Sequence, residues 1–140
     1  MHVLSLSTDI GNLFDDDTGI FVNSNYYNEG ADWERPCNIQ VFEQGELKFT
    51  EDVGVRISGN WTTAFPQKSM TFYARRDYGA NKMQHDFFEG GARDVDDAKI
   101  KEYKKVTIRN GGNGYDNCRF RDDLNQSLAE GLNLGRQAKQ

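Results

Sequence analysis

The 140-residue sequence predicts an α+β fold, mainly antiparallel β-sheet with one helix near the carboxyl end, on three observations. Short runs of alternating apolar and polar residues recur along it, separated by Gly- and Asp-bearing turn sequences. Phe, Tyr and Trp together make up 12% of the chain, a bias that suits a pleated, half-buried surface better than a helical bundle. A helical apolar stripe is found only near the end.

Taken in order, "VLSLS" (Val3 to Ser7) alternates as a half-buried strand does, and "TDIGNLFDDDTG" breaks it, with Thr8 or Asp9 placed to cap one short helical turn. "IFVN" reads as resumed extended structure, and "SNYYNEGADWERP" as a polar loop whose Tyr26, Tyr27 and Trp33 are too numerous to be idle. "CNIQVFE", "GELKF" and "VGVRIS" read as three short strands of a meander, and "SMTFYAR" as a fourth. In that last run Met70, Phe72 and Ala74 share one face, and Thr71, Tyr73 and Arg75 the other. From Arg76 to Lys101 the chain makes a Gly- and Asp-rich excursion that Phe87 and Phe88 would pin. "YKKVTIRN" returns as a strand, "GGNGYDN" turns, and "RFRDDLNQSLAEGL" puts Phe120, Leu124, Leu128 and Leu132 on one stripe of a helix, with Asp116 or Asn117 at its start and Gly131 at its end.

The totals exclude several classes. Seventeen basic against 22 acidic residues give a net charge of −5 with no long basic run, so nucleic acid is not an expected partner. No apolar stretch approaches the roughly 20 residues of a membrane span. Cys37 and Cys118 have no Cys or His at metal-ligand spacing, which argues against zinc and leaves one long-range disulfide open. "DDDTG" (Asp15 to Gly19) crowds carboxylates but lacks the alternate spacing of a calcium loop, and reads as a solvated turn. His2 and His85 are solitary, with no nucleophile elbow, so no hydrolase triad is indicated. "NWT" at Asn60 to Thr62 fits the glycosylation pattern.

Two stretches carry candidate chemistry. In "GVRISGNWTTAFPQKSMTFYAR" a tight turn at Gly59-Asn60 could offer backbone N–H groups to phosphate oxygens, with Lys68 as a point charge at the base of the next strand. The plainer alternative is an ordinary β-connection with a solvated lysine. In "IRNGGNGYDNCRFRDDL", Asn110, Asp116, Arg119 and Arg121 converge on a helix amino terminus, a place that suits an anion. There the alternative is turn and cap residues with surface arginines paired to Asp122 and Asp123.

Together, "LSLSTDIGNLFDDDTGIFV", "ERPCNIQVFE", "GVRISGNWTTAFPQKSMTFYARRDYG" and "KKVTIRNGGNGYDNCRFRDDLNQSLAEGLNLGRQA" resemble, in order and nearly end to end, the amino-terminal part of the spore coat protein H (CotH) kinase-like family. The resemblance implies residues 1–140 as a single partial domain, resembling the N-lobe of an atypical protein kinase, that would use ATP and Mg to phosphorylate secreted, surface or spore-coat proteins. It implies a bacterial extracellular, cell-surface or spore-coat setting and a protein substrate. Lys68 falls at the position of a phosphate-contacting lysine, Gly54, Arg56 and Gly59 match the turn block, and Asn110, Asp116 and Arg121 match the block entering the helix. Kinase logic makes Glu130 the ion-pair partner of Lys68. Where the family's loop carries an arginine shortly before the proline, this chain has Thr63. The family's catalytic and metal-binding aspartates belong to a carboxyl-terminal portion that this chain lacks, so no catalytic or metal-binding residue is expected here and the fragment alone should be inactive. The rival expectation is a non-catalytic β-rich module that binds protein or glycan through Tyr26, Tyr27, Trp33 and Trp61.

Overall fold

A computed structural model describes residues 2–88 and 92–111. Five strands, β1 (His2–Ser7), β2 (Arg35–Glu43), β3 (Glu46–Ser58), β4 (Ser69–Tyr73) and β7 (Lys105–Ile108), form one antiparallel sheet in the order β1-β2-β3-β4-β7. A second pair, β5 (Met83–Gln84) and β6 (Glu102–Tyr103), lies in the excursion between β4 and β7. The mainly antiparallel architecture therefore stands as expected. The expected carboxyl-terminal helix and Cys118 lie outside the described residues.

Period-two alternation divides the sheet into two chemically distinct faces. The register sets Cys37 opposite Val53, Val55 opposite Phe72, Ile57 opposite Met70 and Phe72 opposite Val106, and these side chains belong to one apolar cluster with Ile39. Leu4 and Leu6 of β1, together with Leu13, Ile20, Phe21, Met83, Phe87 and Tyr103, pack on the same cluster. The other face pairs Asn38 with Asp52, Gln40 with Thr50, Arg56 with Thr71 and Thr71 with Thr107. Its polar groups bond one another: Asn38 Nδ2 donates to Asp52 Oδ1 at 2.8 Å, and the Thr71 hydroxyl pairs with those of Ser58 and Thr107.

Two strand expectations need correction. "GELKF" and "VGVRIS" are halves of the single 13-residue strand β3, because Thr50 and Asp52 fall on the polar face and find partners in Asn38 without breaking the ladder. The turn is instead at Gln44-Gly45, whose φ values of 53° and 86° suit a two-residue hairpin loop. "IFVN" is not a strand either: the N–H groups of Ile20 and Phe21 donate back to the carbonyls of Asn12 and Leu13 at 3.1 and 2.9 Å, folding the segment onto the short helix α1 (Ile10–Phe14). Asp9 caps that helix, accepting from Gly11 N at 2.8 Å. Phe87 does pin the excursion, stacked edge-on against Phe49, His85 and Tyr103.

Candidate functional site

The connection from β3 to β4 is tied together by its own backbone and hydroxyls. Gly59 takes φ +126°, where a side chain is strained, and a Cβ would in addition approach Thr62 Oγ1 to 2.6 Å. A 3₁₀ turn, Trp61–Ala64, follows, closed by Thr63 N and Thr63 Oγ1 both donating to Asn60 O at 3.2 and 2.7 Å. Thr63 is buried and holds the turn shut. Trp61 projects from the turn, 77% exposed.

Lys68 closes the loop from its far end. Its Nζ donates to Thr63 O at 2.6 Å and Phe65 O at 3.2 Å, and lies 3.8 Å from the Tyr26 ring centroid with Phe21 beyond at 5.9 Å. Burial of the ammonium lowers its pKa below the ordinary lysine value. Asn110 secures the same loop from the end of β7: its Nδ2 donates to Gln67 O at 2.8 Å, its Oδ1 accepts from Ser69 Oγ at 3.1 Å, and its N–H donates to Ser69 Oγ at 2.9 Å. The residues on either side of Lys68 are thus fixed by Asn110.

Arg56 stands on the polar face of β3. Its Nη1 donates to Gly30 O at 3.2 Å and its Nη2 to the Tyr73 hydroxyl at 2.9 Å, while its Nε is buried without a hydrogen-bond partner. A polar recess of about 190 Å³ opens beside it, walled on one side by Tyr26, Tyr27 and Glu29 and on the other by Arg56, Gly59 and Asn60. Arg56 and Gly59 therefore share one recess. Lys68 borders it from behind, through Thr63 and Tyr26, which both face the recess and touch the lysine. Asn110 sits one layer further out, and Asp116, Arg121 and Glu130 lie outside the described residues.

The aromatic loop does pack, as its composition suggests: Tyr26 and Trp33 join the core cluster, and Tyr26 and Tyr27 lie 4.8 Å apart. That Tyr26 would cover Lys68 has no signal in the spacing of the sequence. A second polar constellation was equally invisible. Glu34, almost wholly buried, accepts a fork from Arg75 Nε and Nη2, each at 2.7 Å, which raises the pKa of Arg75. Gly54 makes room for it, since a Cβ there would overlap the Tyr78 ring and come within 3.1 Å of Glu34 Oε2.

The remaining candidates resolve as local structure. Asp15 accepts from Asp17 N, Thr18 N and Thr18 Oγ1, bonds that hold its carboxyl below the usual range. Among the described residues no group of three His, Cys, Asp or Glu is placed to hold a metal ion. Cys37 is buried in the core, and burial together with the charge of Asp52 pushes its thiol up to about 12. Among the described residues no helix is long and apolar enough to cross a membrane. Comparison with family descriptions, curated proteins and solved structures returns no match to this chain.

Proposed function

We propose that the chain is the nucleotide-covering portion of a CotH-like atypical protein kinase, with the β3–β4 end as its phosphate site. The observation that carries this reading is convergence: Arg56, Gly59, Lys68 and Asn110, singled out by motif, gather around one recess and the loop behind it. The chemistry supports it. Lys68 is held by neutral carbonyls and a ring, so its positive charge is not neutralised where it stands, and Arg56 brings a second one to the recess wall. The whole protein would transfer the γ-phosphate of Mg-ATP to Ser or Thr of a secreted, surface or spore-coat protein, with the carboxyl-terminal part of such a domain supplying the metal-binding carboxylates.

The test is equilibrium binding of Mg-ATP and of inorganic pyrophosphate to the 140-residue chain and its Lys68→Ala variant. Saturable binding of both, weakened about tenfold or more by the substitution, supports the reading; one charge-assisted phosphate contact is worth that much. No binding by a folded wild-type chain refutes it.

A second reading, a protein- or glycan-binding module, is favoured by Tyr27, 52% exposed on the recess wall, and by Trp61, 77% exposed on the turn that follows Asn60. Its mark would be a glycan or peptide that quenches tryptophan fluorescence in wild type and Lys68→Ala alike but not in Trp61→Ala.

A further inference from the structure

We propose that residues 24–30 form a strap closing over Lys68, so that an anion reaches the ammonium only after the Tyr26 ring has swung aside. For the identity of the anion this rests on the phosphate reading above; the strap itself does not. A lysine ammonium has three N–H donors. Here the carbonyls of Thr63 and Phe65 take hydrogen bonds at 2.6 and 3.2 Å, and the Tyr26 ring covers the group at 3.8 Å. A phosphate oxygen must displace one of the three. A cation–ring contact is weaker than a charge-assisted hydrogen bond at a partly exposed site, so the ring is the contact to give way.

The backbone on either side of Tyr26 delimits the segment that would move. The chain reverses through Asn23 and Ser24, at φ 51° and 65°, and again at Gly30, at φ 96°. Asn and Gly take this region readily and Ser24 does so at some cost, so the two reversals bound residues 24–30 at either end. Between them the strap is held by side-chain bonds: Asn25 Nδ2 donates to the carbonyls of Asp16, Asp17 and Gly19 at 3.4, 3.2 and 3.1 Å, and Arg56 Nη1 to Gly30 O at 3.2 Å. The strap also walls the recess through Tyr26, Tyr27 and Glu29, so a ligand entering beside Arg56 lies against it. The lowered lysine pKa agrees with a covered ammonium.

The experiment measures acylation of Lys68 by an amine-reactive ester, using peptide mapping with the half-exposed Lys48 as internal reference, in wild type, Tyr26→Leu and Asn25→Ala. Asn25→Ala loosens the strap by removing the three bonds from Asn25 Nδ2 and leaves the core rings in place, so a folding failure of Tyr26→Leu leaves the test intact. Lys68 should react more slowly than Lys48 in wild type and speed up about tenfold in the variants, the factor a cation–ring contact supplies. Mg-ATP affinity, measured in parallel, should rise by a similar factor. An unchanged Lys68 rate in the folded variants overturns the strap, even if ATP protects Lys68 and so sustains the phosphate reading. Faster labelling with no ATP binding in any variant sustains the strap and removes the phosphate reading.

Discussion

Lys68 and Arg75 flank the same strand, β4, and the chain treats their charges in opposite ways. Arg75 forks onto the buried Glu34 carboxylate, which lies beside Gly54, and its charge is matched where it stands. Lys68 meets two carbonyls and two rings, and among the described residues no carboxylate lies within ion-pair distance of it. A cation next to a buried carboxylate holds a fold together, because losing it strands the carboxylate. A cation held by neutral groups stabilises little and keeps its field for a ligand. The difference between the two ends of β4 is the physical ground for proposing a phosphate site at the Lys68 end.

The comparison breaks most visibly at Arg75. Arg75→Met leaves the buried Glu34 carboxylate without its partner, and thermal denaturation should show a Tm lowered on the order of 10 °C. Lys68→Met should lower Tm far less; a loss equal to that of Arg75→Met would erase the contrast. Gly54→Ala drives a methyl group into the Tyr78 ring and should cost about 1–3 kcal/mol in urea unfolding. A Gly54→Ala/Tyr78→Ala pair less destabilised than the two single losses combined would show that the ring is the obstacle.

Asn110→Ala leaves Gln67 O without its Asn110 donor and removes the Ser69 Oγ–Asn110 Oδ1 bond, at a cost of about 1–2 kcal/mol in the same measurement. It should also weaken Mg-ATP binding by loosening the residues beside Lys68, which separates a positioning role from simple stability if a comparably destabilising core change leaves affinity intact. The smallest effect is one of pH. The Lys68 pKa is lowered in the folded state, so the unfolded chain holds the proton more tightly and folding gains as pH rises through the folded value toward 10.5. Tyr78 and Tyr103, whose pKa values are raised by burial, act in the opposite sense at alkaline pH. The gain is therefore read as a difference: between pH 7 and 10, wild type should improve relative to Lys68→Met.

Much of the sheet is legible because each β-strand of the long antiparallel sheet writes its two faces into alternate residues: "SMTFY" puts Met70 and Phe72 inward and Thr71 and Tyr73 outward, as the structure has them. Where reading fails, polar residues serve two purposes. Thr50 and Asp52 look like a turn, but on the polar face of a long strand they are cross-strand partners. That Lys68 bonds the carbonyls of Thr63 and Phe65, where a solvated lysine is the plainer expectation, is not legible, but the Gly59 turn is visible as local chemistry. The Tyr26 cap and the Glu34–Arg75 fork are not, since each joins residues 41 or 42 positions apart that no local pattern relates.

The most direct measurement is a backbone amide chemical-shift map of the 140-residue chain titrated with Mg-ATP. The expected result is saturable shifts at Arg56, Gly59, Thr63 and Lys68, with Glu34 and Arg75 at the other end of β4 unmoved. Shifts centred on Glu34 and Arg75, or none at all in a folded chain, would contradict the assignment of the phosphate site to the Lys68 end.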